Sequence, residues 1–284
     1  MQHHPKNPEI EKLNKRLDEL LVKAYIENGE VLWNARNGKF DLNQPVYRHL
    51  KEKFWKQRPL DILMQRVTQM YVIPDAIDPK IFNIPSTCLD LTLKGWNEGK
   101  PIEPGAIVPP ETALELPTMN LTAFHEDVRL YTIIMADLDH PNEETQSYQQ
   151  QCHWMGCNIP ISMHDGNIKA ENAVLPYIPP HPAKGTKRHR YVFLVMQQGE
   201  KGQVRLENVK LDRAVHLRTL ASELSLRPVG VSFFRSEWNE TVDEVYRQHL
   251  GLEPPVYGPA PAATRFDEGT VGSQKKAFGK YANA

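Results

Sequence analysis

The sequence has few cysteines and no long apolar run. Its 284 residues include only three cysteines, Cys88, Cys152 and Cys157, and no CxxC pair. Three cysteines cannot build a disulfide framework, so we expect no dependence on an oxidising compartment. No run approaches the roughly 20 apolar residues that a membrane-spanning helix needs. The first residues carry Glu9 and Glu11 without an apolar segment, and they therefore predict neither a secretory signal nor a transit peptide.

The common catalytic motifs are also missing. The sequence contains no GxSxG, P-loop, GxGxxG or zincin motif. Asp137 and Asp139 could share acid–base chemistry, but two carboxylates in a DxD pattern at a strand end more often form a structural turn. We therefore expect no enzymatic activity and no cofactor.

Positive charge does not dominate the sequence, whose net charge is −1. Residues 1–80 hold 14 Lys and Arg against 11 Asp and Glu, whereas residues 81–250 hold 16 against 21. A generic nucleic-acid-binding protein would carry a clear positive excess. A mildly acidic body with basic arms instead fits a protein that its extensions hold in a larger assembly, although ordinary scatter of surface charge gives the same numbers.

Apolar residues at helical spacing predict a first amphipathic helix over residues 8–28. The stripe includes Ile10, Leu13, Leu17 and Leu20, and the pattern ends at Asn28. A helix with a single apolar stripe must bury it against a partner surface. That surface belongs either to the protein's own core or to another chain.

Residues 45–72 predict two further helices, separated at Pro59. The first of them interleaves cations with aromatic side chains, a pattern that can bind phosphates and stack on bases. The alternative is a solvated helix face whose aromatic residues enter the core. The candidate RNA or protein contacts in this segment are Arg48, Lys51, Lys53, Trp55, Lys56 and Arg58.

From about residue 84 the chain has the pattern of a β-rich domain. Pro and Gly clusters separate short apolar runs, and the sequence holds 23 prolines, which predicts strands joined by long, stiff loops. The runs are CLDLTL, ALELPTMNLT, RLYTIIMADLD, RHRYVFLVMQQ and PVGVSFFR. We expect a helical extension over residues 1–83, a β domain over 84–250 and an extended arm over 251–284.

Three segments of the β-rich region carry histidines and carboxylates. "LYTIIMADLDHP" places Asp137 and Asp139 at the end of an apolar strand, and "QQCHWMGCNIP" contains His153. "KGTKRHRYVFLV" puts His189 and Tyr191 on one face of the next strand, because side chains alternate along a strand. Each signal alone is weak, since a single histidine in an apolar segment is usually a core residue.

Together these segments resemble the phosphatidylethanolamine-binding protein (PEBP) family. "DLDHP" is similar to its D-P-D-A-P motif, "HWMGCN" to H-x-x-x-x-N, and "GTKRHRY" to G-x-x-H-R-Y. The resemblance covers roughly residues 84–250 and implies a mainly β fold, an antiparallel β-sandwich with peripheral helices. It also implies a small pocket for a phosphate-like anion, lined here by Asp137, Asp139, His153, His189, Tyr191 and His181.

The sequence departs from the family pattern at the rim of that pocket. His181 stands where the family has a glycine, and His140 stands where it has a small alanine. Two additional imidazoles would narrow the opening, so we expect a degenerate pocket without a small-molecule ligand. The four histidines with Asp137 and Asp139 could alternatively hold a divalent metal ion. No HxH or HxxxH spacing supports this alternative, and we expect no metal.

The segments outside the β domain resemble one branch of the family, which belongs to the mitochondrial large ribosomal subunit. The resemblance implies a structural role at the central protuberance, in the mitochondrial matrix, with contacts to ribosomal RNA and ribosomal proteins and none to a membrane. The cationic cluster Lys184, Lys187 and Arg188 would then contact this assembly from outside the sandwich. The alternatives are a soluble binder of phosphate-bearing ligands and an inhibitor of a protease or kinase.

Overall fold

The structure is a computed structural model that describes residues 8–82, 85–168, 173–209 and 211–258. Its N-terminal helices are α1 (Pro8–Tyr25), α2 (Gly29–Arg36), α3 (Pro45–Lys56), α4 (Arg58–Gln69) and the single turn α5 (Val72–Asp75). The strands are β1 (Thr87–Thr92), β2 (Thr118–Ala123), β3 (Arg129–Asn142), β4 (Ser147–Ile161), β5 (Ala173–Leu175), β6 (His189–Gln198) and β7 (Leu226–Ser236). Helix α6 (Leu217–Glu223) precedes β7, and α7 (Glu240–Val245) follows it and continues into a π turn, Tyr246–Leu250.

The strands form two antiparallel sheets. Five strands pair in the order β5-β4-β3-β6-β7, and β1 pairs with β2 in a separate two-stranded sheet. Side chains of β6 alternate between two hydrophobic cores: Tyr191 and Phe193 enter one, and Val192 and Leu194 enter the other. The run "YVFLVM" is therefore apolar throughout because both faces of this strand are buried.

Different elements pack against the two faces of the large sheet. On one face of the large sheet, Leu91 of β1 and Leu121 of β2 pack in the same core as Phe193. On the other face, Val67 of α4 and Leu220 of α6 complete the second core. The predicted β-sandwich with peripheral helices is confirmed.

The N-terminal helices agree with the sequence pattern in most respects. Helix α1 confirms the first predicted helix, and α3 and α4 are separated at Gln57. Pro59 lies in the first turn of α4, where a missing N–H breaks no helical hydrogen bond. The sequence pattern missed α2, which begins where Asn28 accepts hydrogen bonds from the backbone N–H groups of Glu30 and Val31.

Helix α4 belongs to the core of the large sheet, although it precedes the predicted domain limit at residue 83. Leu63 and Val67 lie in the same buried cluster as Val192 and Phe233. The predicted domain limits stay a prediction, and most of the predicted arm, from residue 259 onward, lies outside the described residues. Every helix in the described part of the chain is too short or too polar to cross a membrane.

Substitutions in α4 test whether this helix is part of the sheet's core. Leu63 is 7% exposed, whereas its neighbour Ile62 is 39% exposed. We expect Leu63→Ala to lower the free energy of unfolding by about 2–4 kcal/mol, because it leaves a cavity against the sheet. The matched control Ile62→Ala should cost less than about 1 kcal/mol. Urea unfolding followed by tryptophan fluorescence measures both, and equal costs would contradict this packing.

Candidate functional site

A cluster of histidine and tyrosine rings around one carboxylate, nearly all of them buried, lies at one end of the large sheet. Its members come from β3, β4, β6, the loop before β6 and the π turn. We call it the histidine cluster, and its members are Asp137, His140, His153, His181, His189, Tyr191 and Tyr246. The His153 and His181 ring centroids are 4.7 Å apart, and those of His153 and Tyr191 are 5.1 Å apart. Five of the six predicted pocket residues therefore meet in one place.

Asp137 and His189 form the charged centre of the histidine cluster. His189 Nδ1 lies 2.6 Å from Asp137 Oδ2, and His189 Nε2 lies 2.9 Å from Thr186 Oγ1. Burial lowers the pKa of His189, but the charge of Asp137 and the hydrogen bond to it outweigh burial and raise that pKa. Burial raises the pKa of Asp137, but the imidazole of His189 lowers that pKa by more, so the pKa of Asp137 lies well below its usual range. The pair is therefore an internal ion pair.

His153 and His181 are neutral and have the same tautomer. Nδ1 lies 2.9 Å from the carbonyl oxygen of Ile178 in His153, and 2.8 Å from that of Pro179 in His181. A carbonyl only accepts, so Nδ1 carries the proton and each Nε2 presents a lone pair. Burial lowers the pKa of His153 to about 4 and that of His181 well below its ordinary value.

The polar atoms of the cluster that have no partner determine what it could bind. Among the described residues, Nδ1 of His140, Nε2 of both His153 and His181 and the hydroxyl of Tyr191 are buried without a hydrogen-bond partner. The two Nε2 lone pairs accept hydrogen bonds, and they would repel the oxygens of an anion. At these two nitrogens the cluster is therefore better suited to a hydrogen-bond donor than to a phosphate, whereas the Tyr191 hydroxyl could donate to an anion. Across the described residues, no group of three or more His, Cys, Asp or Glu side chains could hold a metal ion.

Asp139 is the predicted pocket residue that the cluster does not contain. Its carboxylate accepts hydrogen bonds from Nε and Nη2 of Arg190, each at 2.7 Å. Arg190 also donates to the carbonyl oxygen of Met70 and forms an ion pair with Asp75. The register of β3 against β4 shifts by one residue between Asp137 and His140, and Asp139 contacts Arg190 outside the histidine cluster; its place in an anion pocket stays a prediction.

A segment near the end of the described chain lies against the loop that holds His189. We call residues 254–258 the C-terminal strap. The Tyr257 N–H donates to the Lys184 carbonyl oxygen at 2.8 Å, and its hydroxyl donates to Glu143 at 3.0 Å. Gly185 and Thr186 follow Lys184 in the chain, and the Thr186 hydroxyl is hydrogen-bonded to Nε2 of His189. The strap thus supports one edge of the histidine cluster.

The comparison with protein families agrees with this geometry. The family model described as "Phosphatidylethanolamine-binding protein" matches residues 97–234, which include all the predicted pocket residues. The chain contains a PEBP domain. A solved carboxypeptidase Y inhibitor, in complex with its cognate proteinase, superposes on it with a TM-score of 0.52 and 22% sequence identity. The superposition covers 63% of this chain and 97% of that one, and it shows the shared fold.

Two relatives show how far similarity extends beyond the PEBP domain. Large ribosomal subunit protein mL38 of Schizosaccharomyces pombe is 28% identical over 244 residues, covering 86% of this chain and 76% of that protein. Putative odorant-binding protein A5 of Drosophila melanogaster is 27% identical over 191 residues, covering 65% of this chain and 84% of that protein. The alignment with the ribosomal protein is the longer of the two.

Two of the predicted contact residues in front of the PEBP domain have contacts within the protein, and their contacts to RNA or to another protein stay a prediction. Arg48 forms ion pairs with Asp18 and Glu126, and its side chain is only 11% exposed. Trp55 is buried and packs against Phe124, with ring centroids 5.5 Å apart. The sequence pattern did not reveal these roles, because each partner comes from a distant part of the chain.

The remaining predicted contact residues lie at or near the surface. Lys53, Lys56 and Arg58 are exposed, and Lys51 is partly buried. The three cations of the predicted cluster before β6, Lys184, Lys187 and Arg188, are all exposed. Lys184 lies 4.4 Å from the ring centre of Trp238, and Arg188 forms an ion pair with Glu237. Lys187 has no cation–π contact or ion pair in the described part of the chain.

Sequence reasoning missed two residues of the site. Thr186 bonds His189, and the Tyr246 hydroxyl donates to the His181 carbonyl oxygen at 3.3 Å. Thr186 lies within the recognised "GTKRHRY" motif and could have been found there. Tyr246 comes from a helical segment 65 residues away from His181, and no local pattern indicates it.

The neutral state of His153 predicts a pH-dependent stability. In the unfolded chain this histidine takes up a proton near pH 6.5, but in the folded PEBP domain only near pH 4. Stability is therefore fully present above pH 6.5 and is lost as the pH falls towards 4, by roughly 3 kcal/mol for this group alone.

We expect His153→Gln to flatten this acid dependence, because the variant removes the titrating group and keeps a donor for Ile178. The control His249→Gln changes an exposed histidine and should keep the wild-type slope. Urea unfolding at a series of pH values from 7.5 to 4.5 tests both variants. Equal slopes for wild type and His153→Gln would show that His153 is not held neutral.

The close approach of the C-terminal strap to Gly185 gives another test. Gly185 has φ +86°, and a Cβ atom there would collide with the carbonyl oxygen of Tyr257. The control position Gly95 has a similar φ of +77° and open space around it. Gly95→Ala should cost about 1 kcal/mol from backbone strain alone, and Gly185→Ala roughly 3 kcal/mol. Thermal unfolding measures the difference, and equal costs would mean that the strap does not pack there.

Proposed function

We propose that this chain is a structural component of the mitochondrial large ribosomal subunit, located at the central protuberance. The observation that carries the proposal is the length of the similarity to protein mL38. The 244 aligned residues far exceed the domain match at 97–234, so they necessarily include residues of the flanking segments. The PEBP fold alone would support no function, since folds are reused for unrelated roles.

The surface charges support contacts to ribosomal RNA through the helical segment before the PEBP domain. Lys53 and Arg58 are exposed near the junction of α3 and α4, while Arg48 fixes the same segment internally through Asp18 and Glu126. Lys187 presents a further exposed cation on the loop before β6. Cations held on a rigid support can neutralise RNA phosphates at little entropic cost. We place the protein in the mitochondrial matrix as part of this assembly.

The geometry does not favour the alternative functions. A phosphate-bearing ligand would face the Nε2 lone pairs of His153 and His181. The imidazole of His189 is already paired with the carboxylate of Asp137. The similarity to carboxypeptidase Y inhibitor, at 22% identity, concerns the fold. The proposed role needs no catalytic step, and Asp137 is bound to His189 in the folded protein.

Sedimentation of tagged protein from a mitochondrial lysate tests the proposal. We expect wild-type protein to migrate with the large subunit through a sucrose gradient at both low and high KCl. Lys53→Gln combined with Arg58→Gln should be released at lower KCl than wild type, because fewer counterions are displaced from RNA.

Lys94→Gln combined with Lys100→Gln serves as the matched control, since both lysines are exposed, one just before and one within the family match at 97–234, and belong to no predicted contact. This variant should behave like wild type. Migration of wild-type protein at the mass of a free chain would overturn the ribosomal proposal. Release of the two double variants at the same KCl would leave the chain in the ribosome but refute the RNA contact at Lys53 and Arg58.

A further inference from the structure

Helix α1 exposes a row of large apolar side chains. Ile10, Leu13, Leu17 and Leu20 are 54%, 68%, 54% and 50% exposed, respectively. Their spacing of three, four and three residues is that of the a and d positions in a coiled coil. A single exposed leucine needs no explanation, but four in one row form a contiguous apolar surface. We call these four residues the α1 seam.

The other described residues contact α1 without covering the seam. Asp18, on another side of the helix, accepts a hydrogen bond from Arg48 of α3 at 2.6 Å. Arg48 also forms an ion pair with Glu126, which precedes β3. The helix therefore contacts α3 through Asp18, whose side chain is 39% exposed, and this contact does not involve the residues of the seam.

The charges of α1 argue against RNA or a lipid surface as the occupant of the seam. The helix contains four acidic and four basic side chains: Glu9, Glu11, Asp18, Glu19, Lys12, Lys15, Arg16 and Lys23. A helix with no net charge is not drawn to phosphates or anionic lipids. An apolar row also gains nothing from contact with a phosphate backbone. The seam therefore fits an apolar protein surface.

The flanks of the seam define the chemistry of that surface. In the heptad register, the g positions beside the seam are Glu9, Arg16 and Lys23, and the e positions are Asn14 and Leu21. Arg16 pairs with Glu19 of the same helix at 3.0 Å, but both side chains are exposed, 63% and 47%. Such a pair contributes little and can exchange its partner. Two cations thus border the seam on one side.

A second copy of α1 is poorly suited as the partner of the seam. In a parallel pair of α1 helices, Arg16 would face Leu21 of the other copy. In an antiparallel pair, Arg16 would face its own counterpart, which repels it. A helix with carboxylates at the flanking positions satisfies the two cations better.

We propose that the α1 seam binds an amphipathic α-helix of a neighbouring ribosomal protein. This helix would carry apolar residues at a and d positions and carboxylates opposite Arg16 and Lys23. The inference rests on the proposed function and adds to it the contact site and the class of partner. Helix pairing of this kind buries the seam as the core of a two-helix interface.

Site-specific photo-crosslinking in purified large subunits tests the inference. Leu20→p-benzoylphenylalanine places the probe in the seam, and Lys15→p-benzoylphenylalanine places it at an exposed position of α1 outside the seam. We expect the Leu20 probe to crosslink to a helix of one ribosomal protein, and the Lys15 probe not to do so. Adding Leu13→Gln and Leu17→Gln should lower the Leu20 yield roughly tenfold or more.

A charge test is made in the same background. Arg16→Glu with Lys23→Glu should lower the Leu20 yield, whereas the control pair Lys12→Glu with Lys15→Glu should leave it unchanged. Crosslinks from Leu20 to RNA, to lipid or to a second copy of this chain would overturn the inference, as would the absence of any crosslink. Absence of the wild-type chain from the subunits would instead refute the proposed function, and the inference would fall with it.

Discussion

The buried ion pair between Arg190 and Asp139 joins the helices in front of the PEBP domain to the strands that carry the histidine cluster. Arg190 is only 6% exposed, and a buried guanidinium is costly unless its donors are satisfied. Here they bind both oxygens of Asp139, the carbonyl oxygen of Met70 and the carboxylate of Asp75. One side chain therefore connects strand β6 to the end of β3 and to the helices that precede the PEBP domain. Because side chains alternate along β6, fixing Arg190 on one face directs His189 to the other, where Asp137 receives it.

In this arrangement the residues that were predicted to line an anion pocket contact one another. The Asp137–His189 ion pair uses its charges internally, and the additional His181 is buried beside His153 at 4.7 Å. Two neutral imidazoles then occupy the space with their lone pairs unsatisfied, and the C-terminal strap supports the neighbouring loop. We expect the lowered pKa values of His153 and His181 to make the stability of the domain fall as the pH becomes acidic.

Sequence patterns predicted the elements better than the contacts between them. The apolar run of β6 and the helical spacing in α1 are local signals, and both were sufficient. The pairing of Asp139 with Arg190 was not predictable, because a one-residue register shift in β3 decides it and leaves no sequence signature. The internal role of Arg48 was missed for a related reason. Its partners Asp18 and Glu126 lie 30 and 78 residues away in the sequence, so the cation resembles any other surface charge.

The central claim is that this chain is a built-in part of a ribosomal subunit through segments outside its PEBP domain. The most direct measurement is the stoichiometry of the chain in highly purified mitochondrial large subunits, determined by quantitative mass spectrometry after repeated high-salt washes. The account predicts amounts equal to those of other large-subunit proteins, constant from wash to wash. Amounts far below those of the other large-subunit proteins, falling with each wash, would contradict the account. They would show that the chain associates with the ribosome only transiently.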